Sequence, residues 1–145
     1  MALPGPLFTI GYEGLAQRDV LDALTGAGVE VLVDVRAVSA SRRPGFAKSA
    51  LRSGVAGIGI DYLHLRALGT PAAGRLAARS GRHDDMRRIF AAHLETPEAV
   101  HEFELLRELA GKRRCCLLCY ERQPHHCHRL VIAEQLDLPT RHLLA

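Results

Sequence analysis

Val29-Glu30-Val31-Leu32-Val33-Asp34-Val35-Arg36 decides the architecture. Val29, Val31, Leu32, Val33 and Val35 make an almost unbroken β-branched and aliphatic run. A strand that faces water on one side would alternate apolar and polar residues. A continuous apolar strand is buried on both faces, as in a parallel sheet covered by helices. Upstream, Leu7-Phe8-Thr9-Ile10 is another short β-prone run, ended by Gly11. Residues 16–27 then repeat apolar side chains at Val20, Leu21, Leu24 and Ala27, a helical period, and Gly28 is placed to cap that helix at its C-terminus. The order strand, turn, helix, buried strand is a βαβ unit.

Downstream of Arg36 the reading continues in the same alternation. A polar loop (39–45) leads to a helix near residues 48–55, stopped by Gly57 and Gly59, and residues 60–65 read as a third strand. Residues 66–82 carry turn signals and little periodicity, which predicts a loop with a partial helix that could fold over a ligand as a flap. Residues 84–94 place Met86, Ile89, Phe90 and Leu94 on one helical face. Thr96-Pro97-Glu98 starts another helix, with a capping threonine and a proline in its first turn, that is expected to bury Val100, Phe103, Leu106 and Leu109. Residues 115–119 form a fourth strand, residues 127–136 a helix with Leu130, Val131 and Leu136 inward, and residues 140–144 a last strand. Alternation of this kind predicts one α/β domain spanning residues 1–145, a three-layer sandwich with an open, mostly parallel sheet and helices on both faces.

Composition narrows the class. The chain has 145 residues, 48% of them hydrophobic, in the ordinary range for a single globular core. Its apolar runs are too short for a membrane span, and residues 1–6 have neither the basic start nor the apolar stretch of a signal peptide. The expected address is the cytoplasm, with no membrane partner. All four cysteines, at 115, 116, 119 and 127, lie in one short segment, whereas a disulfide framework would spread its bridges over the fold, so reduced thiols are expected. A formal charge of +3 is modest for a general nucleic-acid binder.

In open parallel sheets, ligands bind outside the carboxyl ends of the strands. Each polar motif falls at such an end: Gly11-Tyr12-Glu13-Gly14, Asp34-Val35-Arg36, Tyr62 and His64, and Cys119-Tyr120-Glu121. Asp34 and Arg36 are two apart on a strand and point to one face, where they either brace each other or meet an incoming anion. Arg42 adds a donor on the next loop, and Arg66, Arg75 and Arg79 would add charge if their segment closed over a ligand. The turn at Gly11 and Tyr12 is short enough to bring backbone N–H groups to a phosphate, yet it lacks the P-loop and dinucleotide fingerprints. Cys127, at a helix start near Arg129, is placed for thiolate chemistry or is a small buried hydrophobe. Cys119 carries the same two readings. Glu121 is a general base or an ion-pair partner of Arg36 or Arg129, and His128 an acid, a base, a ligand or an exposed cap.

Thr9-Ile10-Gly11-Tyr12, Asp34-Val35-Arg36, Ser41-Arg42-Arg43, Tyr62-x-His64-Leu65-x-x-Leu68-Gly69 and Cys119-x-Glu121-x5-Cys127-His128-Arg129 together resemble the bacterial family called domain of unknown function 488. The resemblance covers nearly the whole chain in order. It implies an α/β sandwich and a bacterial cytosolic origin, and it brings no settled activity. The chain departs from it at Thr70, where many relatives carry a second glycine.

Three functions follow as expectations. The first is an enzyme acting on a small anionic or phosphorylated molecule, with Cys127, Glu121, Cys119 and His128 catalytic and Gly11, Tyr12, Asp34, Arg36, Arg42, His64 and Arg129 binding substrate. A sulfur carrier of the rhodanese type is a variant, suggested by a strand ending in Asp-Val-Arg, but no cysteine stands in an obvious anion-cradling loop. The second is a metal site of Cys119, Cys127 and His128 with Glu121 or Cys116. Geometry argues against it if Cys127 and His128 are both helical, because adjacent helical side chains diverge by about 100°. The third is a non-enzymatic nucleotide or nucleic-acid binding module. No cofactor is indicated.

Overall fold

The computed structural model describes residues 6–145, and the stretch 1–5, read above for a leader, lies outside them. Five strands, β1 (Leu7–Gly11), β2 (Val31–Asp34), β3 (Asp61–His64), β4 (Cys115–Cys119) and β5 (Thr140–Leu143), form one sheet in the order β3-β2-β4-β1-β5. All four pairings are parallel. The buried run at residues 29–35 behaves as its composition requires, since β2 lies between β3 and β4 and all four of its residues are buried.

Helices cover both faces, as the alternation of elements predicts. On one face α1 (Gln17–Ala27) and α2 (Lys48–Ala56) place Val20, Leu24, Leu51 and Val55 against Phe8, Ile10, Leu32, Cys116 and Leu118. On the other, α3 (Ala72–Arg79), α4 (His83–His93), α5 (Pro97–Ala110) and α6 (His128–Leu136) pack Ala77, Phe90, Phe103, Leu106 and Ile132 against Leu7, Val31, Val33, Cys115 and Leu117. The period-two split of each strand between the two cores is what a doubly covered sheet demands. Gly28 ends α1 in the left-handed conformation (φ 71°), and Thr96 caps α5 by accepting from the Ala99 N–H. Among the described residues, no helix is long and apolar enough to cross a membrane.

Two local expectations are corrected. Val100 is 48% exposed, because α5 turns Ala99, Phe103, Leu106 and Ala110 inward instead. In α6 the fully buried apolar residues are Ile132, Ala133 and Leu136, with Leu130 and Val131 only partly covered, and the first turn buries His128 and Arg129. Residues 66–82 contain more structure than their weak periodicity suggests. A 3-10 turn at Arg66–Leu68 and helix α3 anchor the segment through Leu68 and Ala77, and α3 lies along α4. Small residues hide this helix from a pattern reading: Gly74 is one of its buried positions, and the Thr70 methyl occupies the space its Cβ would need, 2.3 Å away.

Register levels the strand ends. Gly11 pairs with Cys119, and Asp34 with both Leu118 and His64. β4 continues into α6 on one face, whereas its neighbours β1 and β2 continue into α1 and α2 on the other. Loops that part to opposite faces leave a crevice at the carboxyl edge.

Candidate functional site

A cleft of about 440 Å3 opens at that crevice, lined by Tyr12, Glu13, Arg36, Ala37 and Val38 from the loops after β1 and β2. Cys119, Tyr120, Glu121, His126 and His128 come from β4 and the chain that follows it, and Thr70, Arg75, Ala78, Arg79, His83 and Met86 from the α3–α4 side.

The floor is built by β4 and the start of α6. Cys127 is the N-cap of α6, with extended backbone (φ −130°, ψ 145°), and His128 is the first helical residue. The argument that their side chains diverge fails for this reason, because only one of the two is helical. His128 is buried at 5% exposure and is not an exposed cap. Its Nε2–H donates to the Val35 carbonyl at 2.7 Å, which leaves Nδ1 facing Cys119 Sγ at 3.5 Å and Cys127 Sγ at 3.8 Å. Glu121 Oε2 lies 3.6 Å from Cys119 Sγ as an acceptor for the thiol. Cys119 and His128 reach the cleft, while Cys127 sits behind them at 1% exposure.

These groups perturb one another. Burial pushes the Cys127 thiol up, but hydrogen bonding from Cys119 and the charge of His128 outweigh it and hold Cys127 well below the usual thiol range. Cys119, hydrogen-bonded to that thiolate and buried, is pushed well above it. Burial disfavours the His128 cation, yet the Cys127 charge more than offsets it and raises His128 above an ordinary histidine. Burial, followed by the Cys127 charge, lifts Glu121 to about 7. Cys115 and Cys116 take no part in the floor, since they pack into the cores on opposite faces of the sheet.

The remaining residues singled out in the sequence divide into those that face the cleft and those that hold it in shape. Arg36 faces it with its charge already matched: Nε and Nη2 donate to Asp34 at 2.9 and 2.7 Å, and Nη1 to the Tyr12 hydroxyl and the Phe46 carbonyl at 3.1 and 2.7 Å. Asp34 is fully buried and also accepts from the Tyr62 hydroxyl. Tyr12 lines the cleft, stacks on Phe46 and meets Tyr120 edge-on. Gly11 lies behind the wall, where a Cβ would stand 1.8 Å from the Glu121 carbonyl oxygen, so two backbones meet there and no ligand fits between them. The N–H groups of Tyr12 and Glu13 donate to the carbonyls of Cys119 and Tyr120, which removes them as phosphate donors. His64 Nε2 donates to the Arg36 carbonyl at 2.8 Å and does not line the cleft. Arg42 is exposed and does not line the cleft, whereas Arg43 donates to the carbonyls of Tyr12 and Leu15. Arg129 is wholly buried: Nε donates to Thr9 Oγ1 at 3.1 Å, Nη1 to the Glu121 carbonyl and Nη2 to the Arg122 carbonyl at 3.0 Å. It fixes the loop that carries Glu121 and is not free to hold a substrate.

The sequence reading missed His83 and His126, whose rings stack at the cleft mouth with centroids 4.0 Å apart. Nδ1 of His83 is buried without a hydrogen-bond partner among the described residues. His126 stands next to Cys127 and was within reach of a motif reading; His83 joins it only through tertiary packing. Arg75 and Arg79, noted as charge that a closing segment would add, do line the cleft, while Arg66 does not.

No curated protein and no solved structure gives a match to this chain. The family described as Domain of unknown function DUF488 matches residues 16–136, a span that runs from the start of α1 to the end of α6 and takes in the whole cleft floor, and the chain belongs to that family.

Proposed function

We propose that the protein is a cytoplasmic enzyme that transforms a small anionic molecule, of the phosphate or carboxylate class, in this cleft. The observation that carries the reading is the meeting of two kinds of group in one cavity. Reactive side chains, Cys119, Glu121 and His128, line its floor, and Arg75 and Arg79, which have no ion-pair partner among the described residues, stand with His83 at its mouth. Arg75 is held in place by donating to the Thr70 carbonyl at 2.8 Å, and the unpartnered Nδ1 of His83 supplies a further polar contact. Tyr12, Tyr120 and Val38 give the opposite wall an apolar and aromatic character suited to the uncharged part of a substrate. Glu121 is the general base of this scheme, placed on a loop that Arg129 locks from behind.

Calorimetric titration with inorganic phosphate and sulfate tests the binding half. Arg75→Ala and Arg79→Ala should each weaken phosphate binding about tenfold, the loss expected for one charge-assisted contact, and Arg42→Ala should leave it unchanged. Turnover is sought on a panel of small phosphate and carboxylate esters, where Glu121→Gln should abolish any activity found while keeping phosphate affinity. Absence of phosphate and sulfate binding by the wild type, or equal effects of Arg42→Ala and Arg79→Ala, would remove the basis for an anionic substrate. Tight, steeply salt-dependent binding of single-stranded DNA in place of phosphate would point to a nucleic-acid module.

A further inference from the structure

We infer that Cys119 Sγ, Cys127 Sγ and His128 Nδ1 are the protein ligands of a zinc-class divalent cation whose remaining coordination position opens into the cleft. Two sulfurs and an imidazole nitrogen are a donor set that zinc accepts and that hard cations such as magnesium do not favour. The three donor atoms lie within 4.8 Å of one another. Around a tetrahedral ion with metal–sulfur bonds of about 2.3 Å and a metal–nitrogen bond of about 2.0 Å, each sulfur–nitrogen edge is roughly 3.6 Å. The two sulfur–nitrogen separations here are 3.5 and 3.8 Å, so both of these edges already match a tetrahedral site.

The support around the cluster is that of a metal-binding histidine. A backbone carbonyl can only accept, so the 2.7 Å bond to Val35 keeps a proton on Nε2 and turns Nδ1 toward the sulfurs, where a metal would displace the Nδ1 proton and take its lone pair. Outer contacts of this type orient metal-bound imidazoles and strengthen them as ligands. All three sit on regular elements: Cys119 ends a central strand, Cys127 is the N-cap of α6 and His128 its first residue. No fourth cysteine or histidine completes the set among the described residues, since the cluster contains these three alone. Three protein ligands with an open position are the pattern of a catalytic zinc, whereas structural sites are closed by four. Cys119, His128 and Glu121 all line the cleft, with Glu121 Oε2 3.6 Å from Cys119 Sγ.

The inference rests on the same cleft as the proposed function, but its test is separate. Full-length protein is expressed with zinc supplementation, purified without chelator under mild reduction, and assayed for metal and free thiols. About one zinc per chain is expected, falling at least tenfold in Cys119→Ser, Cys127→Ser and His128→Asn, while Cys116→Ala retains it. Because a ligand variant can fail to fold, cobalt(II) is also titrated into metal-free wild type. Intense visible bands of tetrahedral cobalt with a near-ultraviolet thiolate charge-transfer band would identify sulfur ligation without any mutation. Less than about a tenth of an equivalent of zinc together with no cobalt spectrum would overturn the assignment, as would a Cys119–Cys127 disulfide in the mildly reduced protein. Phosphate titration of the metal-free protein keeps the outcomes distinct: retained phosphate binding with no metal removes the cation and leaves the anionic substrate, and the reverse result removes the substrate class alone.

Discussion

Replacing Asp34 by alanine should be among the most damaging single changes in this protein. Asp34 Oδ1 accepts from Arg36 Nε at 2.9 Å and from the Arg36 backbone N–H at 3.1 Å, and Oδ2 accepts from Arg36 Nη2 at 2.7 Å and from the Tyr62 hydroxyl. The carboxylate is fully buried and the guanidinium is 5% exposed, so water cannot replace what is removed. Despite its burial, Arg36 is held above the ordinary arginine range by this carboxylate, which means the cation would remain charged and unpaired in the variant. Breaking one side of such a pair costs about 3–5 kcal/mol. For a chain of this length that corresponds to a fall in Tm of roughly 10–15 °C. Replacing both partners with apolar residues of similar size, Asp34→Leu with Arg36→Met, leaves no orphaned charge and should cost less than Asp34→Ala alone, giving a coupling of about 2 kcal/mol in a double-mutant cycle. Urea unfolding of the wild type, the three single variants and the double variant provides the values. A cost below about 1 kcal/mol for Asp34→Ala, or a coupling within about 0.5 kcal/mol of zero, would refute the view that this pair is a buried unit.

Two further outcomes are expected elsewhere. Gly74→Ala should cost about 1–3 kcal/mol, because its Cβ would stand 2.3 Å from the Thr70 methyl, and adding Thr70→Ser, which deletes that methyl, should recover most of the loss in a chemical denaturation series. His142 Nδ1 accepts from the Thr9 hydroxyl, which itself accepts from Arg129, and burial followed by the Arg129 charge lowers the His142 pKa from 6.5. A folded state that resists protonation binds fewer protons than the unfolded chain, so this contribution is intact above pH 6.5 and is lost as the pH falls below it. Wild type should therefore lose more stability between pH 7.5 and 5.5 than His142→Gln, measured by thermal unfolding at both pH values; equal losses would remove the Thr9–His142 link as the cause.

The parallel sheet was legible because Val29–Val35 and residues 115–119 carry continuous apolar runs that only double burial explains, and because Gly28 and Thr96 occupy the cap positions that their chemistry favours. The carboxyl-edge placement of Tyr12, Arg36, Cys119 and Glu121 followed from the same alternation. Helix-face assignments were weaker in α5, where the small Ala99 and Ala110 take the inward face with Phe103 and Leu106 and the larger Val100 is left outside, an outcome that size and hydrophobicity alone do not rank. The convergence of Cys127 and His128 was not legible, since it depends on an extended N-cap dihedral that no residue pattern encodes. Nor was the engagement of Arg129 by three neutral acceptors, because a buried arginine without a carboxylate looks, in sequence, like one waiting for an anion.

Besides the loops after β1 and β2, the cleft is assembled from two stretches of chain with little in common. Its floor comes from β4 and the start of α6, with Cys119 and His128 nine positions apart in the chain, and is tied to β1 by the bond from Arg129 to Thr9. Its cationic side comes from the α3–α4 hairpin, which carries Arg75, Arg79 and His83 and whose Phe90 packs edge-on against His128. Under the proposed function the hairpin would select the anion through Arg75 and Arg79 while its buried face braces the floor, so substitutions at the two arginines would shift substrate preference and substitutions at Phe90 would disturb the reacting groups themselves.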